Sequence, residues 1–220
     1  GVATGGPQGR QLEAIGLEFK EKEYSEFAFS QEAARILGLE VEPAVISHDM
    51  LPEIAQKVSY HAEQPHGDFS FFLFYILARK ANADKKIVMF TGDGPDETLF
   101  GFTHNVRFFH ENARTNFPLQ AYFGEICYMP QDLMGQLFGA ERVREVQEPL
   151  DKFESILAPW RDLDPVEQIV AYECTSLMPG NNLVKGDRMG ACWSTEGRSP
   201  FLDHRVIELF TRLPVNEKIH

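Results

Sequence analysis

A chain of 220 residues, 43% of them apolar, is long enough to bury a real core in one large domain or in a domain with a lobe. Its formal net charge of −12 weighs against non-specific nucleic-acid binding and against anionic membranes as primary roles. No apolar run of about 18 residues occurs, so no transmembrane helix is expected.

Residues 1–11 are glycine-rich and aperiodic, and read as a linker or a frayed end. The opening Gly1-Val2-Ala3-Thr4-Gly5-Gly6-Pro7 is neither a signal peptide nor an initiator start, as expected of a piece of a longer chain. Residues 12–19 alternate loosely and suit a short strand. Phe27, Phe29, Ala33, Ala34 and Leu37 stand near helical spacing and predict a helix over 25–37, with Gly38 as its stop. Residues 41–46 suit a second strand, and Ser47-His48-Asp49 offers caps for a helix over 51–63. Residues 69–81 are apolar almost all round, which predicts a buried helix. Ile87-Val88-Met89-Phe90 is a third strand. This order predicts an α/β domain with a mainly parallel sheet over 12–101.

After Gly101 the pattern changes to helices, with no convincing strand. They are expected over 141–153, 165–177, 184–193 and 205–213, broken by Pro118, Pro130, Pro149, Pro159, Pro179 and Pro200. Residues 102–220 therefore read as a helical lobe. Cys127, Cys174 and Cys192 are widely spaced with no Cys-x-x-Cys pair, and read as free, buried thiols of a reducing, cytoplasmic compartment. The seven histidines show no metal-ligand spacing, and no nucleophile elbow supports Ser-His-Asp chemistry.

Three segments carry chemistry. Thr91-Gly92-Asp93-Gly94-Pro95-Asp96-Glu97 follows the third strand, where open parallel sheets bind ligands. Gly92 and Gly94 let backbone N–H groups approach a phosphate, Asp96 is the better metal-ligand candidate and Asp93 the better acid/base candidate. Glu97 serves either role or caps a helix, and the plain alternative for the whole loop is an acidic turn. In the second segment, Asn182 to Met189, Lys185, Asp187 and Arg188 interrupt an apolar helical pattern. Gly186 and Gly190 there imply close packing against a backbone or a ligand, at about 1 kcal/mol each relative to Ala. The third segment, Glu196 to His204, reads as a turn between helices held by pairing among Glu196, Arg198 and Asp203.

Together these segments resemble the synthetase domain of glutamine-dependent asparagine synthetases and their relatives. The family shows Ser/Thr-Gly-acidic-Gly-x-Asp-Glu-x-x-x-Gly after a strand, where this chain has Thr91 through Gly101. The family's later Leu-Pro-x-Asp-Leu-Leu-x-Lys-x-Asp-Arg run, with its Glu-x-Arg-x-Pro-(Phe/Leu)-Leu-Asp, is matched from Met178-Pro179 to Arg205. The likeness spans roughly residues 12–215.

The resemblance implies an adenine nucleotide α-hydrolase-like (PP-loop ATPase) fold, with ATP and Mg²⁺ as cofactors. It implies adenylation of a small-molecule carboxylate, aspartate by default, followed by attack of an amine. The ammonia would come from a glutaminase domain upstream or in trans, with a homodimer as one candidate assembly and no nucleic-acid or membrane partner. By position, Leu17 would lie near the adenine, Thr91, Gly92 and Gly94 would border the nucleotide, and Asp96 would ligate magnesium. Asp93 and Asp187 would face the acyl-adenylate. The family's Ser-Gly-Gly-x-Asp-Ser phosphate loop has only a faint echo in Thr4-Gly5-Gly6-Pro7, so weak ATP binding by the isolated chain is expected. Pro95 stands where the family has Ser or Gly and removes an N–H donor. The alternatives are a degenerate scaffold domain, a β-lactam synthetase or lasso peptide cyclase, and, more distantly, a GMP- or NAD-synthetase-like enzyme.

Overall fold

The computed structural model describes residues 12–21, 23, 25–64, 66–112, 119–126, 131–139 and 147–219. Among them the order begins β1 (Ala14–Phe19), α1 (Phe27–Leu37), β2 (Val41–Ile46), α2 (Leu51–Ala62), α3 (Ser70–Ala83), β3 (Val88–Phe90) and α4 (Pro95–Leu99). It continues with α5 (Thr103–Glu111), α6 (Leu119–Ile126), α7 (Gln131–Phe138), α8 (Gln147–Leu157), α9 (Pro165–Tyr172) and α10 (Leu183–Ala191). It ends with β4 (Glu196–Arg198), α11 (His204–Thr211) and α12 (Val215–Lys218). The chain forms two compact units, Gly1–Phe90 with Val184–Arg198, and Thr91–Leu183 with Ser199–His220.

The first unit is α/β. β1 and β2 pair in parallel across the α1 connection, with Leu17 opposite Ala44. α1 ends as the sequence predicts, at Gly38 in the left-handed region (φ 68). The buried face of α2 recurs every fourth residue, at Ile54, Val58 and Ala62, and meets Ala44, Ile46, Phe71, Tyr75, Ile76 and Met189 in one core. The Ser70 N–H at the start of α3 donates to Asp68 Oδ1 at 2.9 Å. The capping expected of Ser47-His48-Asp49 does not occur. Ser47 makes no side-chain cap, because a 3₁₀ turn over His48–Met50 intervenes and Met50 N–H donates to the Ser47 carbonyl at 3.1 Å.

One expectation is overturned here. Residues 102–220 do contain a strand, β4, which pairs in parallel with β3 through Val88–Glu196 and Phe90–Arg198. A polar three-residue segment with a central glycine has no alternation to betray it, and its strand character comes from the partner.

The second unit is helical around an aromatic core of Phe100, Phe108, Phe109, Tyr122, Phe153 and Tyr172, joined by Leu157, Val166, Ile169 and Val170. Phe153 and Tyr172 meet edge to face at 4.7 Å between centroids. α9 starts on a real cap, with Val166 N–H donating to Asp164 Oδ1 at 2.9 Å and Pro165 in its first turn. It then continues into a π-helix over Glu173–Asn182 that contains Pro179. The proline therefore does not break the helix as expected. The i−5 bonding of a π-helix accommodates a ring that would strike the i−4 carbonyl of an α-helix.

In the third segment Glu196 does pair with Arg198, at 3.0 Å, but Asp203 instead pairs with Arg205 at 2.7 Å and caps α11. Cys174 and Cys192 are free and half-buried rather than buried, and Cys127 and the predicted helix start over 141–146 lie outside the described residues. Among the described residues no helix is long and apolar enough to cross a membrane.

The two unusual glycines of α10 separate cleanly. A Cβ at Gly190 would stand 2.9 Å from the Thr195 carbonyl oxygen, whereas one at Gly186 would make ordinary 3.6 Å contact with the Phe74 ring. Gly186→Ala is expected to stabilise the chain by up to about 1 kcal/mol. Gly190→Ala is expected to destabilise it by about 1 kcal/mol or more, since overpacking against backbone outweighs helix propensity. Thermal melts of the two variants read the opposite signs.

Candidate functional site

The acidic loop begins at Thr91, directly after β3 in the chain. Thr91 Oγ1 donates to Asp93 Oδ2 at 2.6 Å, and Ser199 Oγ lies 2.6 Å from Thr91 Oγ1 and 3.3 Å from the same carboxylate oxygen. Two hydroxyls 108 residues apart thus hold one oxygen of Asp93. Among the described residues its Oδ1 has no hydrogen-bond partner, so a half-buried carboxylate is oriented with one oxygen left for other work.

Gly94 follows at φ 113, and a Cβ there would stand 2.4 Å from Leu202 Cδ2. The backbone conformation therefore demands glycine, and any Cβ there would also oblige the Leu202 side chain to move. Pro95 opens α4 in its first turn, where its missing N–H costs the helix nothing. Thr98 Oγ1 donates back to the Gly94 carbonyl at 2.7 Å and closes the turn.

The two carboxylates of α4 have different surroundings. Asp96 is exposed and lies against Gly101, whose N–H donates to the Asp96 carbonyl at 2.9 Å. Glu97 is buried and accepts a hydrogen bond from Asn182 Nδ2, at the far end of the π-helix. Its observed role is to tie α4 down, one of the two readings open to it.

The near end of the same π-helix carries Glu173, which is fully buried. Its Oε1 accepts from Asn105 Nδ2 at 2.7 Å and lies 2.9 Å from the Tyr122 hydroxyl, which also reaches Asn105 Oδ1 at 2.7 Å. Oε2 has no partner among the described residues. Burial pushes the Glu173 carboxyl from 4.5 up to about 7 against those two hydrogen bonds, with Glu97 and Asp96 adding like-charge repulsion. Burial also drives the Tyr122 hydroxyl upward, so it remains a neutral donor.

Leu17 and Asp187 belong to the first unit. Leu17 packs from β1 onto that unit's core. Asp187 is exposed on α10, between two engaged cations. Lys185 Nζ forms a largely buried ion pair with Asp68 Oδ2 at 2.8 Å, and Arg188 donates to the Ala62 carbonyl and pairs with Glu63 at 3.2 Å. A Cβ at Gly92 would meet nothing within 4 Å, so the protein itself does not impose glycine there.

Among the described residues no three His, Cys, Asp or Glu side chains gather in an arrangement that could hold a metal ion. Magnesium commonly needs only one or two carboxylates, with phosphate oxygens and water completing its octahedron. Asp96, exposed and with no ion pair among the described residues, fits that demand.

The sequence profile of the family described as Asparagine synthase matches residues 2–220. The chain belongs to the asparagine synthase family. A Mycobacterium tuberculosis H37Rv protein provisionally named asparagine synthetase (glutamine-hydrolysing) is 24% identical over 91% of this chain and 35% of its own length. Its Mycobacterium bovis counterpart gives the same figures. Asparagine synthetase (glutamine-hydrolysing) 1 of Bacillus subtilis is 22% identical over 92% of this chain and 37% of its own. The chain therefore spans about a third of the length of these curated relatives.

Sequence reasoning did not single out Ser199, Asn182 or Glu173. Ser199 stands within the third family segment, so its address was readable although its bond to Thr91 was not. Glu173 had one signal, a carboxylate directly after the apolar run Ile169-Val170-Ala171-Tyr172.

Because Glu173 is more basic in the folded chain, the unfolded chain releases that proton first as pH rises. Stability from this group is complete below about pH 4.5, falls toward pH 7 and is flat above it. Glu173→Gln removes the titration and can place its amide nitrogen at the unpartnered Oε2 position. From pH 4.5 to pH 8 the variant is expected to gain on the parent chain by up to about 3 kcal/mol. Melting curves at the two pH values check it, and a constant offset would contradict it.

Proposed function

We propose that this chain is the nucleotide-handling part of an ATP-dependent amidoligase with the PP-loop ATPase type of α/β fold. The observation that carries this reading is the clasp of Asp93 by Thr91 and Ser199, which ties the acidic glycine loop to the third of the segments that resemble the family. The substrate is a small carboxylate, with aspartate the first to try because relatives are named asparagine synthetases. A carboxylate oxygen attacks the α-phosphorus of ATP and pyrophosphate leaves. Ammonia, delivered by a glutaminase domain upstream or in trans, then attacks the acyl carbon and AMP leaves.

In this reading Leu17 borders the adenine, and Thr91, Gly92 and Gly94 border the nucleotide. Asp96 would hold magnesium, which supplies charge neutralisation for the departing pyrophosphate. Asp93, its oxygen Oδ2 already engaged, presents Oδ1 toward the reacting carboxyl and incoming amine, with Asp187 as the second carboxylate facing the acyl-adenylate. Two free thiols, Cys174 and Cys192, support a reducing, cytoplasmic setting. Pro95 leaves the loop's helix start intact, which favours a working site over a decayed scaffold.

The test is exchange of labelled pyrophosphate into ATP by the full-length protein that contains this chain. Exchange should require a carboxylic acid and magnesium. Asp96→Asn and Asp93→Asn should each lower it by about 10²-fold or more, the usual scale for losing a charge-stabilising group. Absence of exchange with aspartate and with a panel of β-amino acids would remove the ligase reading.

A further inference from the structure

The second unit holds a cavity of about 260 Å³ that none of the roles above uses. That volume lies at the small end of the range for ligand pockets. Trp160, Leu163 and Val170 give it apolar walls. Burial pushes the neighbouring Cys174 thiol up to about 11, so it stays neutral and packs as a small apolar group. Against these walls stand two charges of opposite sign, Glu167 on the first turns of α9 and Lys218 at the end of α12.

The two charges do not pair with each other. Lys218 Nζ donates only a long bond, 3.4 Å, to the Thr211 carbonyl, and among the described residues it has no salt bridge. Burial lowers its pKa against the pull of Glu167. A half-buried ammonium with no carboxylate in hydrogen-bonding reach among the described residues offers an open position to an incoming carboxylate. A simple anion would also meet the Glu167 charge, and a simple cation would meet Lys218. A ligand carrying both charges, with an apolar body between apolar walls, satisfies the whole lining.

We propose that this cavity binds a small α-amino acid with an apolar side chain, its carboxylate on Lys218, its ammonium on Glu167 and its side chain against Leu163 and Val170. The site is separate from the acidic loop, and the proposal does not depend on the ligase reading.

Calorimetric titration of the chain with L-leucine tests it, alongside 4-methylpentanoate, which lacks the ammonium, and isoamylamine, which lacks the carboxylate. Leucine is expected to bind one to one, and each analogue about tenfold or more weaker, the scale of one charged hydrogen bond. Lys218→Met should weaken leucine by a similar factor, Lys218→Arg should restore part of it, and Glu167→Gln should close the gap between leucine and 4-methylpentanoate. No leucine binding at millimolar concentration by chain that melts normally would overturn the site. Equal affinities for the three ligands would overturn the zwitterion assignment. Should Lys218→Met fail to fold, the Glu167→Gln comparison still decides.

Discussion

The parallel pairing of β3 with β4 sets where two loops far apart in the chain begin. Phe90 stands opposite Arg198, so the next residues along each strand, Thr91 and Ser199, start from matched positions. Their hydroxyls meet at 2.6 Å, and both reach Asp93. Leu202, three residues further on, fills the space that a side chain on Gly94 would take. A three-residue ladder is weak alone. Bringing together segments 108 residues apart costs loop-closure entropy, which grows only slowly with length. The hydroxyl bonds and the Leu202 contact share that cost, which makes the acidic loop and the Ser199–Leu202 turn one cooperative feature.

Each unit keeps polar groups in its interior under different terms. In the first, Lys185 and Asp68 each supply the other's counter-ion, with side chains only 10% and 15% exposed. In the second, Glu173 has no counter-ion among the described residues and lessens the desolvation penalty by holding its proton up to about pH 7. A buried pair of this kind adds little net stability relative to apolar packing, yet losing one partner leaves a bare charge. Such groups specify arrangement more than they add strength. Lys185 fixes the face that α10 turns inward, and Glu173 fixes the meeting of α5, α6 and the π-helix.

What could be read from the sequence was what periodicity and local chemistry encode. The strands over Ala14–Phe19 and Val41–Ile46, helix α1 with its Gly38 stop, and the all-round apolar α3 fall close to their expected places. The acidic loop was visible because two glycines and three carboxylates after a strand make poor packing material. β4 was invisible, since three polar residues acquire strand geometry only from β3. The π-helix was invisible because its register depends on packing at both ends, and Pro179 argued locally for a break. Site residues were named by type and position. Ser199's part in the clasp on Asp93, the raised pKa of Glu173 and the tie between Glu97 and Asn182 all arise from partners distant in sequence, which no local pattern contains.

The π-helix is anchored at both ends, by Glu173 to Asn105 and Tyr122 and by Asn182 to Glu97. Removing a single residue between those anchors would return the segment toward α geometry and swing Asn182 about 100° around the axis, away from its carboxylate. The distance between the anchors, counted in residues, is therefore a specified quantity. An indel in this stretch is a heavier change than any substitution at its exposed Pro179 or Gly180, and relatives that differ here in length have to secure the acidic helix by some other bond.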